Sequence, residues 1–200
     1  MFYRVAKVIV WTILKVFFWL KIEGQENVPP EGPLIVAGNH VSYLDPLVIG
    51  VGIPRRLYFM AKAELFDVPV LRTLIVKLGA FPVQRGGNDR RAVAKALGIL
   101  QDGRVLGIFP EGTRAEDGEL LPGQSGTAAL ALKTGATILP VAVSGTERIL
   151  SKRHFFRFSR IVLKIGTPIP VEQEKRLNKE RVASLTARVM ESIGELLEAR

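Results

Sequence analysis

The stretch GNHVSYLDP (38–46) sets His40 and Asp45 on either side of a short polar turn. It follows an apolar run, Leu34-Ile35-Val36-Ala37, and closes on Asp45-Pro46. Two readings of these residues stand side by side. In the first, Asp45 caps a helix whose first residue is proline, and His40 merely ends a strand. In the second, the pair does chemistry. Residues five apart on one helix point about 140° away from each other. The residue before a proline is pushed out of the helical region, so HVSYLD reads as a turn that folds Asp45 back onto the imidazole. A carboxylate on one ring nitrogen fixes the tautomer and raises the basicity of the other, which can then take a proton from a hydroxyl. No enzyme nucleophile is evident: the chain has no cysteine and no G-x-S-x-G, since GQSGT (123–127) places its second glycine one residue early. Such a pair suits direct attack by a substrate hydroxyl on an acyl group.

Two further stretches suit an anion. In IFPEGTRAEDG (108–118), Gly112 lets backbone amides approach closely, Thr113 adds a hydroxyl and Arg114 a planar fork that grips phosphate through two bonds. Arg85 has a similar setting in GAFPVQRGG (79–87). Glu111 fits a bare phosphate site poorly; it is read as orienting Arg114 or binding a substrate hydroxyl. Either loop alone is equally well a solvated turn.

These residues need a frame. Short β-rich runs are predicted at Leu34–Gly38, Leu57–Ala61, Ala80–Gln84, Val105–Phe109, Ile138–Val143 and Ile161–Gly166, alternating with helices over 46–51, 69–77, 89–101, 124–134 and 172–198. Asn88 is predicted to cap the third helix, with Gly103 past its end, and Gly135 to end the fourth. Pro82 and Pro140 cannot donate to a ladder, so their strands are expected to be edges, bulged or short. The alternation predicts an α/β fold, a mixed, mostly parallel central sheet flanked by helices. In such sheets sites gather where loops leave the carboxyl ends of strands. His40, Arg85 and Pro110 to Arg114 all follow predicted strands, so three loops can converge on one cleft.

Two hundred residues, 48% hydrophobic, suffice for one domain with a full core. Lys and Arg total 28 against 19 acids, a net charge of +9 and a pI near 10.1, which favours anionic partners. The absence of cysteine excludes disulfides and thiolate chemistry. Two separated histidines, His40 and His154, argue against a metal site.

Residues 2–22 (FYRVAKVIVWTILKVFFWLKI) are apolar but broken by Lys7 and Lys15, with no small-residue cleavage site after them. At about 100° per residue, Arg4, Lys7, Lys15 and Lys21 share an arc of roughly 120°. Phe2, Val5, Ile9, Ile13, Val16, Phe17, Trp19 and Leu20 lie opposite. This predicts an N-terminal amphipathic helix in the membrane interface, with Arg4, Lys7, Trp11, Lys15, Phe17 and Trp19 in contact with lipid. A span would place Lys7 and Lys15 in the bilayer at about 3 kcal/mol each; the other alternative is a helix docked on the protein's own core. Residues 1–24 are thus read as a membrane-association helix and 25–200 as the α/β domain.

Taken together, Asn39-His40-x4-Asp45, GAFPVQR (79–85), FPEGTR (109–114) and ILPVAV (138–143) resemble, in order and spacing, the 1-acylglycerol-3-phosphate acyltransferase family, the bacterial lysophosphatidic acid acyltransferases. The blocks span residues 34–146. The resemblance implies that His40 is the general base and Asp45 its orienting partner. It implies that Arg85, Glu111, Gly112, Thr113 and Arg114 hold the glycerol phosphate. It also implies acyl-CoA or acyl-carrier protein as co-substrate, phosphatidic acid as product, and no metal or other cofactor. Expected partners are a membrane lipid acceptor, an acidic carrier protein or CoA, and an anionic membrane surface, at the cytoplasmic face of the cell membrane. Alternative acceptors are glycerol-3-phosphate, another lysophospholipid or a lyso-aminolipid. SKRHFFRFSR (151–160) mixes basic and aromatic residues in a manner compatible with single-stranded nucleic acid, but it suits anionic lipid, carrier protein or CoA better.

Overall fold

The computed structural model describes residues 1–84, 89–115, 118–149 and 159–199. In chain order the strands are β1 (Lys21–Glu23), β2 (Leu34–Gly38), β3 (Leu57–Lys62), β4 (Phe81–Val83), β5 (Val105–Ile108), β6 (Thr137–Ser144) and β7 (Val162–Ile165). The helices are α1 (Phe2–Phe18), α2 (Asp45–Gly52), α3 (Pro69–Lys77), α4 (Arg90–Gln101), α5 (Gly126–Thr134) and α6 (Lys179–Glu198). The strands form one sheet in the order β1-β7-β6-β2-β5-β3-β4, parallel throughout except for β6 against β7. This is the mixed, mostly parallel α/β layer that the alternation predicts.

β2 lies at the centre, between β5 and β6, and all five of its residues are buried. Its unbroken apolar run is what a strand covered on both faces requires. Successive side chains alternate faces. Leu34 and Val36 join Val48, Ile49, Leu139, Leu163 and the α1 residues Leu14 and Phe18 on one side. Ile35 and Ala37 join Ala96, Ile99, Leu130, Ile138, Val189 and Ile193, from α4, α5, β6 and α6, on the other. α5 ends at Gly135 in the left-handed conformation, as predicted, and Gly103 follows α4 with φ +68°. The cap of α4 differs from the prediction: it is Asp89, whose carboxylate accepts from Arg91 N and Ala92 N, while Asn88 lies outside the described residues. α6 starts at Lys179 rather than 172, because Asn178 caps it there through a bond from Glu180 N.

The two prolines part company. β4, carrying Pro82, is a three-residue edge strand, as expected. β6, carrying Pro140, is eight residues long and interior. Pro140 is accommodated because its side of the strand faces the break in the neighbouring segment. Gly166 N donates to Pro140 O, and the chain then bulges before Ile169 pairs with Ile138.

The N-terminus also differs. α1 stops at Phe18, Trp19 turns left-handed (φ +46°), and residues 21–23 become an edge strand parallel to β7. Lys21 therefore belongs to the sheet. Leu14, Phe18 and Leu20 enter the same core as α2, so residues 1–24 share the core of the α/β layer. Lys7 turns toward the body and donates to Ile53 O at the end of α2; Lys15 Nζ donates to Leu20 O. The surface left outside is mostly apolar: Phe2, Val5, Val8, Ile9, Trp11, Ile13, Val16, Phe17 and Trp19 are exposed, with Arg4, Thr12 and Lys15 among them. α1 is both docked on the protein and apolar outside. No helix among the described residues is long and apolar enough to cross a membrane.

Candidate active site

His40 leaves the carboxyl end of β2 after Asn39, whose side-chain amide exchanges two hydrogen bonds with the backbone of Val143 in β6 (2.9 and 2.8 Å). Asn39 thus acts as one more rung between the two strands and fixes where His40 emerges. The next residues turn back sharply. Asp45 Oδ2 accepts from Val41 N and Ser42 N, each at 2.7 Å, and lies 3.0 Å from His40 Nδ1. Its other oxygen, Oδ1, accepts from Thr146 Oγ1 at 2.6 Å. Asp45 is 0% exposed and His40 7%. A carboxylate this buried is sustained by the donors around it.

The turn reading therefore holds, and the capping reading does not. Leu44 is the N-cap of α2, Asp45 is already helical, and its carboxylate makes no cap bond to the helix. The chain turns back as expected but not for the expected reason: Asp45, the residue before proline, is helical, and it is its side chain that closes the turn on the histidine. With Nδ1 facing a carboxylate, that nitrogen carries the proton, and base chemistry falls to Nε2. The imidazole stacks on Phe109 at 4.0 Å between centroids and 15° between planes, and Phe109 in turn faces Phe59 at 6.0 Å.

The 109–115 turn, after β5, grips His40 from its other side. His40 N donates to Glu111 Oε1 at 2.6 Å, and Ala115 N donates to His40 O at 2.8 Å. Glu111 Oε2 accepts from Leu121 N at 3.0 Å. Here the structure corrects the expectation for Glu111. It is buried, and both carboxylate oxygens accept backbone amides, so it ties the turn that carries His40 to the loop at Leu121 instead of orienting Arg114. Burial pushes its carboxyl above the ordinary range, partly offset by the bonds from Leu121 and His40, with the Asp45 charge adding to the rise.

Gly112 takes φ +70°, so the chain turns outward, and it and Thr113 are exposed. Arg114 reaches back to the turn that carries His40: its guanidinium lies 3.4 Å from the centre of the Tyr43 ring. Its buried Nη1 has no hydrogen-bond partner among the described residues. Arg85 lies outside the described residues, as does most of the basic segment 151–160. Sequence reasoning missed Thr146 entirely. It lies three residues beyond the end of the resembling ILPVAV run, and nothing local distinguishes it from any other turn threonine.

An α/β layer that buries a histidine–carboxylate pair at the carboxyl ends of its middle strands, beside a glycine turn whose arginine has a buried donor with no partner among the described residues, has the geometry to take a proton next to an anion. A family model described as Acyltransferase matches residues 20–144, and the chain belongs to that family. It is 31% identical over 179 residues to the 1-acyl-sn-glycerol-3-phosphate acyltransferase of Bacillus subtilis, covering 88% of this chain and 87% of that one. It is 34% identical over 128 residues to the lyso-ornithine lipid O-acyltransferase of Pseudomonas aeruginosa, covering 64% of this chain and 48% of the relative. The crystal structure of the 1-acyl-sn-glycerophosphate (LPA) acyltransferase PlsC from Thermotoga maritima superposes with a TM-score of 0.81 at 27% identity, covering 99% of this chain and 80% of that one.

Proposed function

We propose that this acyltransferase moves a fatty acyl group from an acyl thioester, acyl-CoA or acyl-carrier protein, to the free hydroxyl of 1-acylglycerol-3-phosphate, giving phosphatidic acid. The observation that carries the reading is the His40–Asp45 pair, held by Val41 N, Ser42 N and Thr146 Oγ1. His40 Nε2 takes the proton of the glycerol hydroxyl as that oxygen attacks the thioester carbonyl. The C–S bond then breaks, and the thiolate recovers the proton from His40. Asp45 stabilises the imidazolium formed between the two events. The chemistry calls for no metal or cofactor.

The acceptor is assigned by its charge. Arg114 Nη1 is a buried donor without an acceptor among the described residues, near the dyad, and a phosphate oxygen would satisfy it. Arg85, Gly112 and Thr113 complete the anion site in this reading. A lyso-aminolipid is the competing acceptor, favoured by the similarity to the lyso-ornithine lipid enzyme.

The exposed apolar side of α1 supports peripheral attachment at the cytoplasmic face of the membrane, with Trp11, Phe17 and Trp19 in the acyl-chain boundary and Arg4 and Lys15 near headgroups. In this reading residues 1–24 form the attachment element and 25–200 the acyltransferase body. Lys7, held on Ile53 O, is removed from the lipid contacts.

Purified protein with 1-acylglycerol-3-phosphate and either acyl-CoA or acyl-carrier protein tests the reaction, with phosphatidic acid as the expected product. Turnover of lyso-ornithine lipid or glycerol-3-phosphate without turnover of lysophosphatidate would reassign the acceptor while leaving the acyl-transfer step in place.

A further inference from the structure

α3 is an anomaly of packing. It contains Val70, Leu71, Leu74, Ile75 and Val76, yet none of its residues is buried. Val70 is 82% exposed, and Val68, Leu74 and Val76 are exposed beside it. A nine-residue helix is too short to hold itself together in water and normally relies on burying an apolar face. Exposed apolar side chains clustered on one element mark a contact surface.

Charge states what the surface fits. Residues 68–84, like residues 1–22, contain no Asp or Glu, while Arg72 and Lys77 stand among the apolar residues of α3. Two acids precede the segment: Glu64, which is paired with Lys62 at 2.9 Å, and the exposed Asp67, which ends the turn on the N-terminal side of α3 and leaves Arg72 and Lys77 as the charges within the helix. Position argues the same way. At its far end, Lys77 Nζ lies 5.3 Å from the centre of the Phe2 ring, so α3 meets the start of α1. At its near end it follows β3 through the short turn Ala63–Phe66. β3 runs parallel to β5 and β2, so that turn leaves the same sheet edge from which His40 emerges.

We propose that α3 is a second lipid-contact element, seating its apolar side chains in an anionic bilayer next to α1, with Arg72 and Lys77 at the headgroups. The inference rests on the reading of the protein as a bilayer-docked enzyme and adds an element to it. Two contacts at opposite ends of the α1–α3 surface fix the tilt of the body, and the α3 contact lies at the edge where the acceptor must enter.

The test is flotation of the full-length protein with vesicles of phosphatidylglycerol and phosphatidylcholine, and with phosphatidylcholine alone. Val70→Asp with Leu74→Asp should weaken binding to both vesicles by roughly tenfold or more, since the inserted apolar area is lost. Arg72→Glu with Lys77→Glu should weaken only the anionic case. Val93→Asp, on α4 and as exposed as Leu74, should change nothing. Melting curves confirm folding, and the charge-reversal pair supplies the answer if the aspartate pair unfolds. Undiminished binding of both α3 variants overturns the inference, even when Trp11→Asp with Phe17→Asp abolishes binding and so upholds α1 alone. Failure of the unaltered protein to bind either vesicle overturns both. Dissociation of an oligomer by the α3 variants, with vesicle binding intact, assigns the surface to a second copy of the chain and also overturns it.

Discussion

Thr146 Oγ1 donates a 2.6 Å hydrogen bond to Asp45 Oδ1 from a position 101 residues further along the chain. Both residues are fully buried. Thr146 arrives there because β6 lies beside β2 and because Gly145, at φ +89°, turns the chain where a Cβ would sit 2.0 Å from Arg160 O. Thr146 is a positioning residue for the dyad. Thr146→Val keeps the shape and removes the donor. A hydrogen bond to a charged group is worth roughly 1.5–3 kcal/mol, so kcat should fall about tenfold or more with the Michaelis constants little changed. Thr146→Ser should restore most of it. A valine variant with unaltered kcat removes Thr146 from the machinery.

His40→Ala should fold and lose about 10²- to 10⁴-fold in rate, the usual worth of a general base. Retention of a tenth of the activity is incompatible with the assignment. Asp45→Asn tests the partner. The capping reading expects it to be silent. In the structure one carboxylate oxygen accepts three donors and the other a fourth, so asparagine loses charge and mismatches Thr146 or the amides. A loss of about 1–3 kcal/mol in stability together with a large fall in rate is expected; unchanged melting contradicts the network.

Glu111 gives a pH dependence with a definite sign. Its folded-state carboxyl is raised by burial, so folding penalises the ionised form. Below the ordinary carboxylate pKa the group is neutral in both states and the penalty is absent. It grows as pH rises from the ordinary value to the raised one, and is constant above. Glu111→Gln loses one amide bond at all pH values, yet its stability relative to the unaltered protein should improve as pH rises through that window. A pH-independent difference in melting denies the raised carboxyl.

Arg114→Ala should raise the apparent Michaelis constant for lysophosphatidate by roughly 10- to 150-fold, the range for a charged bond to phosphate, and that for the acyl donor far less. A rise for the donor instead moves Arg114 to the phosphates of CoA or of the carrier's prosthetic group.

Trp19 is the only non-glycine residue with positive φ among the described residues, and it is 61% exposed. A left-handed L-residue costs about 1–2 kcal/mol, and an indole this exposed recovers little of that through packing on the protein. Trp19→Gly should melt no lower than the unaltered protein, while its affinity for vesicles drops. Lower stability with unchanged vesicle affinity would mean the indole serves the fold.

The features that sequence alone settled are those whose causes are local. The His40–Asp45 turn was legible in a five-residue spacing that closes on Asp45-Pro46, although Asp45 itself is helical. Gly135 ends α5, and the 34–38 run declares a strand covered on both faces. Each depends on residues within a few positions of one another, where backbone sterics decide. The strand at 21–23 escaped because three residues carry no period, and the helical stripe before them runs straight into it. The side chosen by α1 was equally illegible: the helix is apolar on most of its circumference. The fit of Tyr3, Lys7, Val10, Leu14 and Phe18 to the body turned its other apolar side outward. Above all, the role of Glu111 at His40 and that of Thr146 at Asp45 came only with the tertiary structure. Those contacts join residues 71 and 101 positions apart, and they exist because β5 and β6 flank β2. Strand order is set by how all the layers pack at once, and no local pattern of side chains encodes it.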